Sequence, residues 1–266
     1  MPRKSQPVPA EKPLLIDSHV HLDDERFDTD REAVLDAARD NNIKAQIIPA
    51  VTAQHWPRLK SICDAHSDLY PCYGLHPCFF QQHRDIHLHE LPLWLGREPA
   101  VAVGECGLDY AIAGADKAQQ QHLFSAQLAL AREFNLPIVI HAVRAVEDVI
   151  RMIRASGHYN GVVHSFNGSV QQAHRLIDLG YFLSFGGAVT YTRAKRLREL
   201  VASLPLDALL LETDAPDQPA NVHRGERNEP AYLVDHWQVM AQLREEDANT
   251  VAEATTRNAR GLFNLP

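Results

Sequence analysis

The sequence predicts a single-domain TIM (β/α)8 barrel, and three observations lead to that prediction. Eight short apolar runs alternate with segments of helical periodicity along the whole chain, as eight β/α units require. Several of the runs are continuous and β-branched, such as Ile138-Val139-Ile140, which is typical of parallel strands buried on both faces. The length of 266 residues suits one barrel rather than two smaller domains.

The alternation defines each strand and helix in turn. The predicted strands are 14–20, 45–51, 70–74, 100–104, 137–140, 161–163, 181–185 and 208–211. Two helices are marked by apolar residues at i, i+3, i+4 and i+7, the first beginning at Val146 and the second at Leu197. Further helices are expected at 30–41, 54–66, 85–95, 117–134, 169–179, 230–242 and 248–262.

A doubly wound open sheet is the structural alternative. That fold would show a glycine-rich turn after the first strand, and none is present. The sequence contains no internal repeat and no low-complexity linker, so we expect one domain at 14–266. Residues 1–13 contain four prolines and the cations Arg3, Lys4 and Lys12, and we expect a flexible N-terminal tail there.

Composition narrows the class of protein. The formal net charge is −8, which argues against a protein that coats nucleic acid. It does not exclude an enzyme that acts on nucleic acid, because bound divalent cations can supply local positive charge. The four cysteines form no C-x-x-C pair, so we expect reduced thiols in a cytoplasmic protein. No run approaches 18 apolar residues, so we expect no membrane partner. The acidic balance favours a monomer.

The first strand runs into His19-Val20-His21, the most informative motif of the chain. Side chains two apart on a strand project from the same face, so both imidazoles are aimed at one point. Imidazole is the commonest neutral metal ligand, and such a pair is half of a metal site.

Other predicted strands also end in residues that bind metals. Active sites of TIM barrels lie at the carboxyl ends of the strands, so these residues are expected to meet on one rim. The candidate metal ligands are His19, His21, Glu105, His141, His164 and Asp214.

Four imidazoles and two carboxylates suit two divalent cations, and Mg²⁺, Mn²⁺ and Zn²⁺ are the candidates. Two cations about 3.5–4 Å apart can activate a water and stabilise a leaving oxygen. The bridge between the cations must be a carboxylate, either of an acidic residue or of a carboxylated lysine. None of the six lysines lies at the carboxyl end of a strand, so Glu105 is the expected bridge. Asp214 could both bind a cation and take a proton from the water.

Each residue also has a structural interpretation. A lone histidine at the end of a strand is more often a hydrogen-bonded core residue, and it is the set of six that favours a metal site. His76 could contact substrate, act as a general acid or cap the turn before Pro77. Glu212 is expected to support a neighbour, and the trio His83, His87 and His89 is expected to be solvated.

Three arginines are candidate phosphate ligands. Arg144 closely follows His141, and Arg224 and Arg227 lie in the loop after the eighth strand. Rim loops build TIM-barrel sites, and guanidinium groups bind phosphate oxygens bidentately. The basic segment 193–198 is at least as well explained as a solvated helix face.

Seven motifs together resemble the TatD-type DNases and hydrolases, a family of amidohydrolase-like TIM barrels, over roughly residues 14–264. The motifs occur in the family's order: Asp17-Ser-His-Val-His-Leu-Asp23, Gly74-Leu-His-Pro77, Gly104-Glu-Cys-Gly-Leu-Asp-Tyr110, Pro137-Ile-Val-Ile-His141, His164-Ser-Phe-Asn-Gly168, Leu211-Glu-Thr-Asp-Ala-Pro216 and Arg227-Asn-Glu-Pro230.

The resemblance implies a divalent-metal hydrolase that cleaves DNA, often as a 3′–5′ exonuclease on single strands. It implies that His19, His21, Glu105 and Asp214 bind one metal, and that Glu105, His141 and His164 bind the other. Two positions depart from the pattern, because Cys78 and Ser165 stand where many relatives have His and Cys. The departure at Cys78 bears on the substrate rim.

Three functions therefore compete. The first is a two-metal deoxyribonuclease acting on single-stranded DNA. The second is a hydrolase of small amides, lactones or phosphoesters, and the third is a catalytically silent binding protein. The complete ligand set argues against the third.

Overall fold

Eight parallel strands form a nearly closed barrel in the part of the chain that the computed structural model describes, residues 12–266. Their order in the sheet is their order in the sequence, from β1 to β8. The strands are β1 Leu15–Asp17, β2 Ile43–Pro49, β3 Leu69–Tyr73, β4 Ala102–Asp109, β5 Ile138–Val143, β6 Gly161–Val163, β7 Tyr181–Phe185 and β8 Leu209–Leu211. The predicted TIM barrel is confirmed.

In the described part of the chain, seven helices connect successive strands, and two more follow β8. They are α1 Arg31–Asp40, α2 Trp56–Ala65, α3 Asp85–Leu95, α4 Lys117–Glu133, α5 Val146–Ser156, α6 Val170–Asp178, α7 Lys195–Ser203, α8 Leu233–Arg244 and α9 Ala248–Phe263. On α5 the predicted apolar stripe, Val146, Val149, Ile150 and Ile153, is buried against the strands. The helix pattern thus follows from burial of one face.

Backbone hydrogen bonds beyond the strand ends bring β8 next to β1. The Ser18 N–H donates to the Leu211 carbonyl at 3.0 Å, and the Asp214 N–H donates to the His19 carbonyl at 2.9 Å. The second bond fixes the backbone of one candidate ligand against that of another.

The lower interior of the barrel is apolar. One set of buried side chains points inward from the strands and packs against the last helix, which includes Leu262 and Phe263. The strand members of this set are Ile16, Ala45, Ile47, Cys72, Ala102, Val139, Val162 and Leu210. Helix α9 therefore closes the end of the barrel opposite the candidate site.

Some predicted bounds were wrong. Strand β4 does not end at residue 104 but continues to Asp109, so Glu105 lies within the strand. The pairing of β4 with β5 is irregular between Val103 and Cys106, which is where Glu105 departs from the regular alternation.

Close approach of two backbones explains a glycine in this strand. A Cβ at Gly107 would lie 2.1 Å from the His141 carbonyl oxygen, and the φ of Gly107 is +136°. Only glycine lets β4 and β5 approach so closely beside two candidate ligands.

Two further expectations concern the ends and the surface. The first eleven residues of the predicted tail lie outside the described residues, and the tail stays a prediction. Lys12, the first described residue, donates from Nζ to the Asp40 carbonyl at 3.1 Å. Within residues 12–266, no helix combines the length and the apolarity that crossing a membrane requires.

Candidate metal centre

All six predicted ligands meet at the carboxyl end of the barrel, around the buried carboxylate of Glu105. The two oxygens of this carboxylate face different histidines. Oε2 lies 3.1 Å from His19 Nε2 and 3.6 Å from His21 Nε2. Oε1 lies 2.7 Å from His164 Nε2 and 3.1 Å from His141 Nδ1. Glu105 therefore separates two histidine pairs, one on each oxygen.

Asp214 completes the side of the centre that contains His19 and His21. Its Oδ1 lies 3.6 Å from His19 Nε2 and 3.5 Å from His21 Nε2. Its Oδ2 accepts a hydrogen bond from the Gln218 side-chain amide. The φ of Asp214 is +56°, in the left-handed region that few non-glycine residues adopt. The backbone bond to His19 holds this conformation.

The charges at the centre depend on one another. Burial favours the neutral form of Glu105, but the nearby histidines, led by His76, outweigh burial and hold its pKa well below its usual range. Burial and repulsion from His164 lower the pKa of His19 to about 4. His19 is therefore neutral near pH 7, with a lone pair available for a cation.

His21 has the opposite shift. Burial disfavours its charged form, but the hydrogen bond to Asp214 and attraction to the carboxylates outweigh burial and raise its pKa to about 10. The two carboxylates thus attract protons onto neighbouring imidazoles. A bound cation would replace those protons, because metal ligands must be deprotonated.

The donor set fits divalent cations. Buried polar atoms without a hydrogen-bond partner among residues 12–266 include Glu105 Oε2 and His19 Nδ1. Two pairs of imidazole nitrogens also lie 3.2 Å apart, one between His19 and His21 and one between His141 and His164. Nitrogens this close need a proton or a cation between them. The possible ligand atoms of His19, His21 and Asp214 lie close enough together to hold one cation. The same is true of His19, Glu105 and His164.

Residues outside the six orient them, and the sequence did not assign these roles. Asp109 Oδ2 lies 3.1 Å from His141 Nε2, so this carboxylate orients the ring and leaves Nδ1 for the centre. Asp17 Oδ1 accepts from the Thr213 N–H at 2.9 Å and from the His19 N–H at 3.2 Å. Asp17 thereby ties the end of β1 to the residue before Asp214. The only feature of the sequence that pointed to this role of Asp17 was its position two residues before His19.

His76 lies beside Glu105 and also lines the pocket over the centre. Its Nδ1 accepts from the Cys78 N–H at 3.0 Å, so its other nitrogen carries the hydrogen. That Nε2 lies 2.8 Å from Glu105 Oε1 and donates to it. Of the three interpretations of His76, the structure shows the turn cap. His76 also donates a hydrogen bond to Glu105.

Glu212 supports its neighbours, as its position predicts. The Ser165 N–H donates to Glu212 Oε1 at 2.8 Å, and the Ser184 hydroxyl donates to the other oxygen. For the trio after Pro77, the prediction was wrong at two positions. His83 and His87 are buried, because His83 Nε2 donates to the His76 carbonyl at 2.8 Å and His87 Nδ1 accepts from the Arg84 N–H.

A pocket of about 1330 Å³ lies over the centre. This volume exceeds the roughly 300–1,000 Å³ typical of sites for drug-sized ligands. Arg144 lines the pocket together with Arg196, and the contact of Arg144 with phosphate stays a prediction. Arg224 and Arg227 do not line it, and Arg227 is held by Asp30 and Glu229 at 2.7 and 2.8 Å.

Comparison with known proteins identifies the family. Residues 16–264 match the family described as "TatD related DNase". The chain belongs to the TatD family. Its relatives include a protein named as an uncharacterized metal-dependent hydrolase, YjjV, from Escherichia coli K12, which is 40% identical over 94% of this chain and 98% of its own length. Another with the same description, YabD from Bacillus subtilis, is 35% identical over 95% of this chain and 100% of its own.

Solved structures agree with the TatD assignment. The crystal structure of YjjV, described as a TatD homologue, superposes with a TM-score of 0.92 at 39% identity, covering 95% of this chain and 98% of that one. The chain is thus a metal-dependent hydrolase of the TatD family, and its His, Glu and Asp clusters are the candidate metal ligands.

Proposed function

We propose that this hydrolase is a deoxyribonuclease that removes nucleotides from the 3′ end of single-stranded DNA. One observation carries the proposal: the two oxygens of Glu105 face two separate histidine pairs at the floor of a pocket lined by arginines. Such a bridge suits a pair of cations acting on one phosphodiester. The match to the family described as "TatD related DNase" supports DNA as the substrate.

Two divalent cations would share Glu105 as a common ligand. His19, His21 and Asp214 would complete one site, and the other would be completed by His141 and His164. The nitrogen-rich donor set favours Zn²⁺ or Mn²⁺ over Mg²⁺. When bound, the cations would supply positive charge that makes a water easier to deprotonate and that stabilises charge on the phosphoryl oxygens.

Asp214 would take the proton from the attacking water. Its carboxylate lines the pocket, and its other partner, Gln218, keeps one oxygen engaged while Oδ1 stays directed at the centre. The low pKa that the neighbouring histidines give Asp214, in spite of its burial, keeps it ionised near neutral pH. Arg144 would bind a backbone phosphate of the substrate strand, away from the scissile bond, through its guanidinium.

His76 would act by positioning Glu105. Because its Nδ1 is occupied by the Cys78 N–H, its Nε2 can only donate, and it donates to Oε1. This bond orients the carboxylate that both cation sites share. The role needs no proton transfer from His76 to substrate.

Two general properties complete the proposal. The four cysteines are unpaired, which suits the reducing cytoplasm. We further propose a monomer, which light scattering after size-exclusion chromatography would test against the chain mass of 29.8 kDa.

The test is incubation of 3′-labelled and 5′-labelled single-stranded oligonucleotides with the enzyme and added Mg²⁺, Mn²⁺ or Zn²⁺. We expect early loss of the 3′ label and stepwise shortening of the 5′-labelled strand. His19→Ala, purified in parallel, should be inactive, which would exclude a contaminating nuclease. Turnover of a small ester, lactone or amide without any shortening of DNA would instead support the small-substrate hydrolase.

A further inference from the structure

The two sides of the pocket differ in charge. On the side formed by the loops after β8, β1 and β2, carboxylates outnumber cations. The carboxylates that line this side are Asp23, Asp24, Glu25, Asp28 and Asp217.

Both arginines on this acidic side are already paired. Arg26 binds Asp217 with two nitrogens at 2.9 Å each and also pairs with Asp24 at 2.9 Å. Arg58 pairs with Asp28 and donates to the Asp23 carbonyl at 2.7 Å. Neither guanidinium is free to bind a phosphate without losing a carboxylate.

Across the barrel, the side formed by the loops after β5, β6 and β7 carries unpaired cations. Arg144 is exposed and makes no hydrogen bond or ion pair with any residue in the range 12–266. Arg196 is exposed too, and among the described residues its side chain donates hydrogen bonds only to the carbonyl and side-chain oxygens of Asn167, at 3.2 and 2.8 Å.

The acids on this basic side are neutralised from outside the pocket. Glu147 pairs with Arg175, and Asp148 pairs with Arg151 at 2.9 Å. Arg144 and Arg196 therefore keep their full charge toward the pocket. The order of the strands in the barrel places them opposite the acidic side.

We infer that Arg144 and Arg196 form a subsite for the phosphate of the nucleotide next to the scissile bond, on the strand that the enzyme retains. The inference rests on the proposed function and adds a direction to it. The retained strand leaves the pocket over β5–β7, where two free guanidiniums bind its backbone. A strand that continued over the acidic side would meet more carboxylates than cations, so only a chain end fits there.

The experiment compares the double variant Arg144→Ala, Arg196→Ala with the wild-type enzyme on two substrates. One is a single-stranded oligonucleotide, and the other is a dinucleotide whose only phosphate is the scissile one. We expect kcat/KM for the oligonucleotide to fall by about 10- to 100-fold, since two charge-assisted contacts are lost, and kcat/KM for the dinucleotide to change less than about 2-fold.

A double variant with the same charge change elsewhere is the control. Arg257 and Arg260 are exposed on α9, at the other end of the barrel, and their replacement by Ala should leave both substrates unaffected. An equal loss on both substrates, or no loss on the oligonucleotide, would overturn the subsite while leaving the nuclease proposal intact. Hydrolysis of bis(p-nitrophenyl) phosphate by a wild-type enzyme that cleaves neither DNA substrate would overturn the nuclease proposal and the subsite with it.

Circular single-stranded DNA tests the acidic side. It offers no chain end, so the wild-type enzyme should leave it intact. The double variant Asp24→Asn, Asp217→Asn removes two carboxylates and releases Arg26, and we expect it to nick the circle under conditions in which the wild-type enzyme leaves the circle intact. Efficient nicking by the wild-type enzyme would contradict the exclusion of a continuing strand.

Discussion

The two ends of the barrel interior are built on opposite principles. At the lower end, side chains such as Val139 and Val162 pack against α9 in an apolar cluster. At the upper end, Glu105, His19 and His164 are also buried, but each has a polar atom without a hydrogen-bond partner within residues 12–266. The lower end stabilises the fold, while the upper end leaves buried charge for a ligand to satisfy.

The upper end also contains unusual backbone. Arg144, Ser165, Asp214 and Gln218 have positive φ and line the pocket. Left-handed backbone at non-glycine residues is costly, and it persists where the surrounding structure enforces it, as at functional sites. Substitutions at the two ends should therefore separate activity from stability.

The largest effect is expected from Glu105→Ala. Loss of the shared carboxylate should lower kcat/KM by about 10³-fold or more, because several kcal/mol of charge stabilisation in the transition state would be lost with the cations. Steady-state assays with saturating Mn²⁺ would measure it, and circular dichroism would show whether the variant is folded. A folded variant with more than about a tenth of wild-type activity would remove Glu105 from the centre of the mechanism.

Removal of metal tests the same end without changing a side chain. Dialysis against a chelator should abolish activity, and added Mn²⁺ or Zn²⁺ should restore it. The metal-loaded protein should also melt at a higher temperature, since a ligand at about 100 times its Kd stabilises the folded state by about 2.7 kcal/mol. Full activity after exhaustive chelation would contradict a metal-dependent centre.

A smaller effect is expected when a supporting carboxylate is removed. Asp109→Ala should lower kcat/KM by about 10- to 100-fold through misorientation of His141, and Asp109→Asn should recover part of the loss by keeping a polar partner. Isothermal titration with Zn²⁺ would check whether metal affinity falls in parallel. Unchanged affinity with lowered activity would assign Asp109 to substrate instead.

The smallest effect on activity is expected at the lower end. Val162→Ala removes two buried methyl groups from the barrel interior and should lower the free energy of unfolding by about 2 kcal/mol. Denaturant titration would measure that loss, and kcat/KM per folded molecule should stay unchanged. A large drop in kcat/KM with normal stability would mean that the two ends are coupled.

The sequence predicted what depends on local pattern. Apolar runs ending in histidine or a carboxylate located the strands and the six candidate ligands, because active-site residues of a TIM barrel lie at the carboxyl ends of its strands. The sequence did not predict contacts between residues that are far apart along the chain. Arg227 looked free for phosphate until the fold placed it beside Asp30, 197 positions away. The bulge that places Glu105 within β4 likewise depends on its pairing with β5.

The number of metal ions bound by each variant tests the central claim, that Glu105 joins two cation sites. Elemental analysis after loading with Zn²⁺ and removal of free metal would give that number. We predict about two ions per chain for the wild type, about one for His21→Ala and for His164→Ala, and nearly none for Glu105→Ala. A Glu105→Ala protein that still holds two ions, or a wild type that holds no more than one, would contradict the account.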